Sequence, residues 1–167
     1  ETVYHVAALY TLWLRNPQEI YDINVGGTRN IMKAASEAGT QRIVYTSTVA
    51  TVQFLDHPHL ANENKYPLPR DLAGHYKRSK YAAEIQVKHM ADQGLPVIIV
   101  NPTFPVGIGD ARPTRTGQLI LDVLRGRMPG YIDTGLNLVD VEDVAMGHIL
   151  AMERGQIGRR YLLGNKN

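Results

Sequence analysis

The stretch that decides the fold runs from residue 76 to residue 103 and opens with Tyr76-Lys77-Arg78-Ser79-Lys80. After this opening, apolar side chains recur at helical spacing at Ala83, Val87, Met90 and Ala91. Gly94 ends the predicted helix, and the apolar run Leu95-Pro96-Val97-Ile98-Ile99-Val100 follows until Asn101-Pro102-Thr103 breaks it. A helix that leads directly into a short apolar strand is typical of proteins with a parallel sheet.

The upstream sequence repeats this alternation of strands and helices. Residues 3–8 and 42–47 are rich in β-branched and aromatic side chains and predict two further strands. Between them, Asn16-Pro17-Gln18-Glu19 predicts a helix start with Asn16 as N-cap, and Gly39 predicts its C-cap. Three strands joined by two helices predict right-handed crossovers and hence a doubly wound α/β fold with a parallel sheet.

The helix that begins near Asn16 carries a predicted buried stripe. Its members are Ile20, Ile23, Gly27, Ile31, Ala34 and Ala35. Asn24 falls on the same face. Because a buried amide must find hydrogen-bond partners, Asn24 either ties the helix to a neighbouring segment or serves a site.

The region after Pro102 has a different texture. A loop rich in Gly, Pro and Arg covers residues 106–117, and a helix is predicted at 118–125. Residues 137–140 predict a short strand that leads into a helix, whose apolar face would contain Val141, Val144, Ala145, His148 and Met152. Residues 159–164 predict a last strand. We interpret residues 104–167 as a small lobe over the strand ends, interleaved with the domain formed by residues 1–103.

The composition excludes several classes of function. The chain has 167 residues, 44% hydrophobic and 20% charged, which is ordinary for a globular domain. It contains no cysteine, so disulfides, thiolate catalysis and cysteine-type zinc sites are excluded, and a reducing, cytoplasmic location is expected. The net charge of +2 comes from scattered basic residues, which does not indicate nucleic acid. The apolar runs are too short for a membrane span.

The predicted site lies where the strands end. In an open parallel sheet, ligands bind in the crevice beyond the carboxyl ends of the strands. Residues 7–8, 47–48 and 102–103 are all at such ends, and Tyr76 and Lys80 begin a helix between two of them, one turn apart on one face. A tyrosine base near neutral pH needs its phenolate favoured by about 4 kcal/mol, and a neighbouring ammonium acts in that direction.

Other polar side chains have weaker claims on function. His57 and His59 with Asp56 could suggest a metal site, but solvated loop histidines are the better interpretation, so we expect no metal. Arg112 and Arg115 lie in the loop over the crevice, where they either meet a substrate anion such as a diphosphate or belong to a solvated loop.

Six motifs along the chain resemble a known family. They are His5-Val6-Ala7-Ala8, Asn24-Val25-Gly26-Gly27-Thr28, Tyr45-Thr46-Ser47-Thr48, Tyr76-x-x-x-Lys80, Asn101-Pro102 and Val139-Asp140-Val141-Glu142-Asp143-Val144-Ala145. In this order they resemble the extended short-chain dehydrogenases/reductases of the NAD-dependent epimerase/dehydratase type. Within that family the likeness is strongest to the hopanoid-associated sugar epimerases and the dihydroflavonol-4-reductase-like group. The resemblance implies that residues 1–103 are a partial NAD(P)-binding Rossmann domain and residues 104–167 a small substrate-binding lobe.

The resemblance also implies roles for single residues. Tyr76 would exchange a proton with a substrate hydroxyl, and Lys80 would bind the nicotinamide ribose and lower the tyrosine pKa. Thr48 would hydrogen-bond the reacting oxygen, although Ser47 beside it is a rival because only one of two successive strand residues faces the crevice. Asn24 would support the lysine. The positions that match the cofactor lining are Val6, Ala7, Ala8, Ser47, Tyr76, Lys80, Pro102 and Thr103.

One feature of the family has no counterpart in this sequence. The family opens with a strand and a glycine-rich turn that holds the pyrophosphate at a helix N-terminus. The chain begins without methionine, apparently within a strand, so we interpret it as the C-terminal part of such a fold. We expect the isolated chain to bind dinucleotide poorly, and the choice between NAD and NADP stays open. The resemblance allows a homodimer through the helices at 16–38 and 75–93.

Three functions remain open on this basis. The first is an NAD(P)-dependent oxidoreductase or epimerase that acts on a nucleotide-sugar or a similar hydroxyl-bearing small molecule. The second is an NADPH-dependent ketone reductase of the dihydroflavonol or cinnamoyl type. The third is a non-catalytic module that senses dinucleotide, which the intact set of Tyr76, Lys80 and Thr48 argues against.

Overall fold

Four parallel strands form the main sheet. The computed structural model describes residues 1–11, 13–55, 61–111, 113–130 and 135–165. The strand order is β1-β2-β3-β6, with β1 at Thr2–His5, β2 at Arg42–Thr46, β3 at Val97–Pro102 and β6 at Arg160–Leu163. A second, two-stranded parallel sheet pairs β4 (Phe104–Val106) with β5 (Leu138–Asp140). The predicted α/β fold with a parallel sheet is confirmed.

Helices cover both faces of the main sheet. They are α1 (Gln18–Tyr21), a π-helical turn (Asp22–Gly27), α2 (Thr28–Glu37), α3 (Gly74–Asp92), α4 (Arg115–Leu124) and α5 (Val141–Arg154). On one face, α2 and α3 pack against a cluster that includes Ile43, Val97 and Ile99. On the other, α5 packs through Ala151 against Ile98 and other alternate strand residues. Because β3 is buried on both faces, its sequence is apolar without alternation.

The predicted helix ends agree with the structure. The Asn16 side chain accepts a hydrogen bond from the Gln18 backbone N–H at 3.1 Å, as expected for a residue that caps the helix before Pro17. Gly39 and Gly94 follow α2 and α3 with φ angles of 65° and 102°. These angles lie in the left-handed region, where glycine terminates a helix without the steric cost of a Cβ atom.

The buried stripe of the first long helix differs from the prediction. The structure buries Ile20, Asn24, Thr28, Met32 and Ala35. Ile23 and Ile31 were expected inside, but they are 44% and 41% exposed. The reason is the π-helical turn, which contains more residues per turn than an α-helix. Residues four positions apart therefore face the interior through this turn, instead of following the α-helical period of 3.6. Ala34, also predicted inside, is exposed. The stripe prediction was therefore wrong at Ile23, Ile31 and Ala34.

The region after Pro102 contributes to both sheets. β6 extends the main sheet beside β3, and α5 packs on the main sheet, whereas β4, β5 and α4 lie outside it. On α5 the buried residues are Val144, His148 and Ala151, while Val141 and Ala145, predicted for the same face, are exposed. The division at residue 104 does not coincide with a boundary of the main sheet, and the assignment of a substrate lobe stays a prediction.

Candidate active site

Lys80 is buried at the end of β2. The α3 stripe through Ala83 and Val87 faces the sheet, so Lys80, on the same side and 3% exposed, is brought against the strand ends. Its Nζ donates to the Thr46 carbonyl oxygen at 2.9 Å and to the Tyr45 phenol oxygen at 3.3 Å. An ammonium has three N–H donors, and the contacts within the described part of the chain use two of them.

The charge of Lys80 depends on pH within an accessible range. Burial lowers the pKa of Lys80 from its ordinary value near 10.5 to about 8, although the Glu84 carboxylate acts in the opposite direction. Desolvation disfavours the ammonium, and neither of the two oxygens that bind Nζ carries a negative charge. Lys80 is therefore charged below about pH 8 and loses its charge above it.

Tyr76 lies on the same helix, one turn before Lys80, and is half-buried. Its ring meets the Tyr10 ring edge to face with 4.6 Å between centroids. Burial raises the pKa of the Tyr76 phenol, a hydrogen bond with the Thr48 side chain lowers it, and Tyr10 raises it. We expected Lys80 to lower this pKa. The structure does not show that effect. The described hydrogen bonds of the Lys80 ammonium go to Tyr45 and Thr46 on β2, and not to the Tyr76 phenol.

Thr48, and not Ser47, faces Tyr76. The Ser47 side chain is 6% exposed, and its hydroxyl lies in the interior, 3.4 Å from the Thr51 hydroxyl. Thr48 follows it, its side chain lowers the pKa of the Tyr76 phenol, and its hydroxyl accepts from the Ala50 N–H at 3.3 Å. Strand alternation required that only one of the two point into the crevice. The structure thus brings Thr48 together with Tyr76.

Asn24 ties the chain after β1 to α3. Its Oδ1 accepts from the Leu9 N–H at 2.7 Å, and its Nδ2 donates to the Leu9 carbonyl and to the Ser79 hydroxyl, both at 3.0 Å. The Ser79 hydroxyl in turn donates to the Tyr76 carbonyl at 2.9 Å. Of the two roles left open by the sequence, the structure shows the tie between segments, and Asn24 makes no described hydrogen bond to Lys80.

The positions predicted to line a cofactor fall into two groups. Val6, Ala7 and Ala8 are exposed beyond the end of β1, where Ala7 and Ala8 line a groove of about 500 Å³ together with Leu9 and Gly27. Ser47, Pro102 and Thr103 are instead buried, and the Thr103 hydroxyl donates to the Leu163 carbonyl at 3.3 Å. The first group is open to a ligand, whereas the side chains of the second group are buried and are not part of that groove.

The other candidate ligands are placed less centrally or lie outside the described residues. Arg115 is exposed at the start of α4, and Arg112 lies outside the described residues, as do Asp56, His57 and His59. Within the part of the chain that the structure describes, no group of three or more His, Asp or Glu side chains is placed to hold a metal ion. None of the helices in the described ranges is long and apolar enough to cross a membrane.

The sequence analysis missed a buried charged pair beside this site. Glu84 is fully buried on α3, one turn after Lys80, and its Oε1 lies 2.8 Å from Nε of Arg160 on β6. A signal for Glu84 was present, since it follows Lys80 by four residues on the inward stripe. Arg160 carried no local signal, because its contact with Glu84 depends on the pairing of β6 with β3.

The parallel sheet with helices on both faces is a Rossmann-type fold, and α3 carries Tyr76 and Lys80 four residues apart. A family model, "NAD dependent epimerase/dehydratase family", matches residues 1–164. The chain belongs to the NAD-dependent epimerase/dehydratase family.

Individual relatives support this assignment. A Synechocystis protein provisionally named dihydroflavonol 4-reductase is 47% identical over 169 residues, which is 99% of this chain and 49% of that protein. The crystal structure of gox2253 has a TM-score of 0.88 at 48% identity, covering 99% of this chain and 51% of the other. A nucleoside-diphosphate-sugar epimerase from Pseudomonas aeruginosa, PA4631, has a TM-score of 0.78 at 31% identity, covering 86% and 48%.

A further neighbour bears on the fold alone. RMD from Pseudomonas aeruginosa, solved with NADPH, has a TM-score of 0.79 at 24% identity and covers 98% of this chain and 60% of its own. The chain spans about half the length of the curated relatives it matches.

Proposed function

We propose that the protein containing this chain is an NAD(P)-dependent oxidoreductase or epimerase in which Tyr76 is the proton carrier. The observation that carries the proposal is that three groups lie beyond the strand ends: the half-buried Tyr76 phenol, the Thr48 hydroxyl that lowers its pKa, and the Lys80 ammonium one turn away. A nucleotide-sugar or a similar hydroxyl-bearing molecule is the proposed substrate, supported by the family and by the likeness to a nucleoside-diphosphate-sugar epimerase.

The residues present fit the nicotinamide end of a dinucleotide. Lys80 keeps one N–H for a ribose hydroxyl, and the small side chains Ala7 and Ala8 let a ligand approach the backbone beyond β1. Val6, Ser47, Pro102 and Thr103 complete the proposed lining. When bound, NAD(P) would accept or supply the hydride. The choice between NAD and NADP is left open.

Each side chain of the site has one task in the proposed mechanism. Thr48 orients the reacting oxygen through its hydroxyl, next to the phenol that takes or returns the proton. The raised pKa of Tyr76 keeps its proton in place at neutral pH, so Tyr76 is ready to donate in the direction of reduction. For oxidation the phenolate is needed. Although the described hydrogen bonds of Lys80 go to β2, its charge, present below about pH 8, would favour that phenolate from one helical turn away. Arg115 remains a proposed contact for a substrate anion, as does Arg112.

The alternative is an NADPH-dependent ketone reductase of the dihydroflavonol type. The name of the Synechocystis relative favours it, and the same three side chains would serve. Two assays separate the alternatives: UDP-sugars with NAD, followed by NMR of the sugar product because epimerisation regenerates NAD, and dihydroflavonols with NADPH, followed by nicotinamide absorbance. Turnover in only the second would replace the epimerase proposal with the reductase.

Replacing Tyr76 tests both forms of the proposal. In the full-length protein, Tyr76→Phe should lower kcat about a thousandfold or more, because the ring stays and the proton carrier is lost. Cofactor binding, measured by fluorescence titration with NADH, should remain nearly unchanged. Tyr81→Phe, on the same helix with its ring against Tyr66, is the matched control and should keep its activity. If Tyr76→Phe retains activity, Tyr76 is not the proton carrier.

A homodimer is part of the proposal. Ile31 on α2 is 41% exposed and Ile85 on α3 is 38% exposed, which supplies apolar surface on the two helices predicted to pair. Analytical ultracentrifugation of the full-length protein would measure its oligomeric state, and a monomer at all concentrations would rule out the homodimer.

A further inference from the structure

Glu84 is a buried carboxylate that the proposed mechanism does not use. It is fully buried on α3, one turn beyond Lys80 on the same face. A carboxylate in the interior is costly unless several donors hold it, so its partners had to be assembled from elsewhere in the fold. Those partners come from three segments that are distant in the sequence.

The three partners join α3 to the strand ends. The Thr51 hydroxyl, in the turn that follows Thr48, lies 2.6 Å from Oε2 of Glu84. Asn101 Nδ2, near the end of β3, donates to the same oxygen at 2.9 Å. Arg160 Nε, on β6, lies 2.8 Å from Oε1. One side chain therefore connects the helix of Tyr76 and Lys80 with the turn after β2, the end of β3 and the beginning of β6.

Two of these partners also hold Thr48. Its carbonyl oxygen lies 2.7 Å from the Thr51 hydroxyl and 3.1 Å from Asn101 Nδ2, and it accepts from the Thr51 N–H at 3.1 Å. The Thr51 hydroxyl has a single hydrogen and lies between two acceptors, the Thr48 carbonyl and the Glu84 carboxylate. The position of Thr48 relative to α3 is thus set through Glu84.

Arg160 holds the other side of the carboxylate. Its Nη2 donates to the Thr51 carbonyl at 2.6 Å, and its Nη1 donates to the Glu63 carbonyl at 2.9 Å. The guanidinium lies over the Tyr66 ring, 4.1 Å from the centroid. The planar, always charged guanidinium binds the turn and the loop at the same time, which a lysine in its place would not do.

We propose that Glu84 and Arg160 are positioning residues that hold the Tyr76–Lys80 helix and the Thr48 turn in the geometry for proton transfer. This role presupposes the proton chemistry proposed above for Tyr76. Neither side chain touches the reacting atoms. Their effect is exerted through the placement of Thr48 and through the negative charge that Glu84 brings near Lys80.

Four titratable groups surround Lys80 in the described part of the chain. They are His5 on β1, Tyr45 on β2, and Tyr76 and Glu84 on α3. Burial and then the charge of Lys80 lower the pKa of His5, and burial raises the pKa of both tyrosines, so these three favour their neutral forms. Glu84 supplies the negative charge that favours the ammonium. A loss of this charge should lower the pKa of Lys80.

The test uses Glu84→Gln in the full-length protein, which keeps the shape of the side chain and removes its charge. Turnover of the best UDP-sugar or dihydroflavonol should fall about tenfold or more in kcat with little change in KM, since binding groups stay in place. The decline of kcat on the alkaline side should begin at lower pH. The stability of the folded protein should rise with pH once Lys80 loses its proton, and in Glu84→Gln this rise should also begin at lower pH. Urea titrations at several pH values measure it without any substrate.

Control variants keep the result interpretable. Glu37→Gln makes the same change on the exposed end of α2 and should alter neither readout. Glu84→Asp keeps the charge and should restore the alkaline limb, with kcat still reduced. A folded Glu84→Gln protein, as judged by circular dichroism, with wild-type kcat and pH profile would overturn the proposal.

A second variant covers the case in which Glu84→Gln does not fold. Arg160→Lys keeps the positive charge but loses the forked contacts with the two carbonyls, so kcat should fall severalfold with an unchanged alkaline limb. Wild-type kcat in Arg160→Lys would then contradict the positioning role. Activity in Tyr76→Phe on the same substrate would instead refute the proposed function, whatever the Glu84 and Arg160 variants do.

Discussion

Lys80 and Arg160 are two buried cations near Glu84, and they are held in different ways. The described hydrogen bonds of Lys80 go to a phenol and a backbone carbonyl, both neutral, and burial brings its pKa down to about 8. Arg160 meets a carboxylate at 2.8 Å and three backbone carbonyls. A cation without a directly bound counter-charge can be adjusted by its surroundings, whereas a paired one holds segments together. This difference agrees with the chemical role proposed for Lys80 and the positioning role proposed for Arg160.

The largest effect should come from breaking the paired cation. Arg160→Met leaves the Glu84 carboxylate buried without its partner, and removal of one member of a buried pair costs about 3–5 kcal/mol of stability. Urea unfolding of the full-length protein measures this cost. Lys33→Met, which removes an exposed pair with Glu37, should change stability by less than about 1 kcal/mol. Equal effects of the two variants would contradict the comparison.

Removal of Lys80, the unpaired cation, should lower activity without lowering stability. Lys80→Met should lower kcat about 100-fold, because the phenolate loses its neighbouring charge, while the free energy of unfolding should not fall, since a desolvated ammonium is removed. Steady-state kinetics and urea titration together check both parts. Lys77→Met, an exposed neighbour on α3, is the control and should leave kcat unchanged. A loss of stability equal to that of Arg160→Met would erase the distinction.

The pH dependence of stability sharpens the same contrast. Between about pH 8 and pH 10 the folded protein has lost the Lys80 proton and the unfolded chain still binds it, so the free energy of unfolding should rise with pH, by about 2 kcal/mol. Above about pH 10 it should fall again, because burial raises the pKa of Tyr66 to about 12 and the unfolded chain loses that proton first. In Lys80→Met the rise should vanish, and its persistence there would assign it to another group.

Asn24 provides a neutral reference for these two cations. Asn24→Ala removes three hydrogen bonds to Leu9 and Ser79 and should cost about 2 kcal/mol, since both backbone groups of Leu9 lose their partner. Thermal or urea unfolding gives the value. Asn30→Ala on the exposed side of α2 should change stability by only a few tenths of a kcal/mol. If Asn24→Ala and Asn30→Ala cost the same, the hydrogen bonds of Asn24 to Leu9 and Ser79 do not contribute to stability.

Local patterns account for the part of the fold that was predicted. The β-branched runs at 97–100 and 42–47 marked strands, and Gly39 and Gly94 marked helix ends, because each of these signals depends on the residue's own backbone preference. Tyr76 and Lys80 were found in the same way, from their spacing on one helix.

Other features were set by tertiary contacts that the sequence does not display. Ile23 and Ile31 turned outward because of a π-helical turn, which leaves no clear residue signal. Lys80 was expected to lower the pKa of Tyr76, yet its described hydrogen bonds go to the Tyr45 phenol and to the Thr46 carbonyl at the end of β2. Arg160 could be assigned to Glu84 only after β6 was placed beside β3.

The π-helical turn at Asp22–Gly27 holds one residue more than an α-helix would need between the same two ends. Deleting one residue there other than Asn24 would let the backbone relax to an ordinary α-helix, and the later side chains would keep their directions. Thr28 and Met32 would then stay in the interior, with the hydrogen bond between Thr28 and His5 intact. A single-residue deletion in this turn should therefore be tolerated far better than one within α2, which would rotate every later side chain by about 100° around the axis.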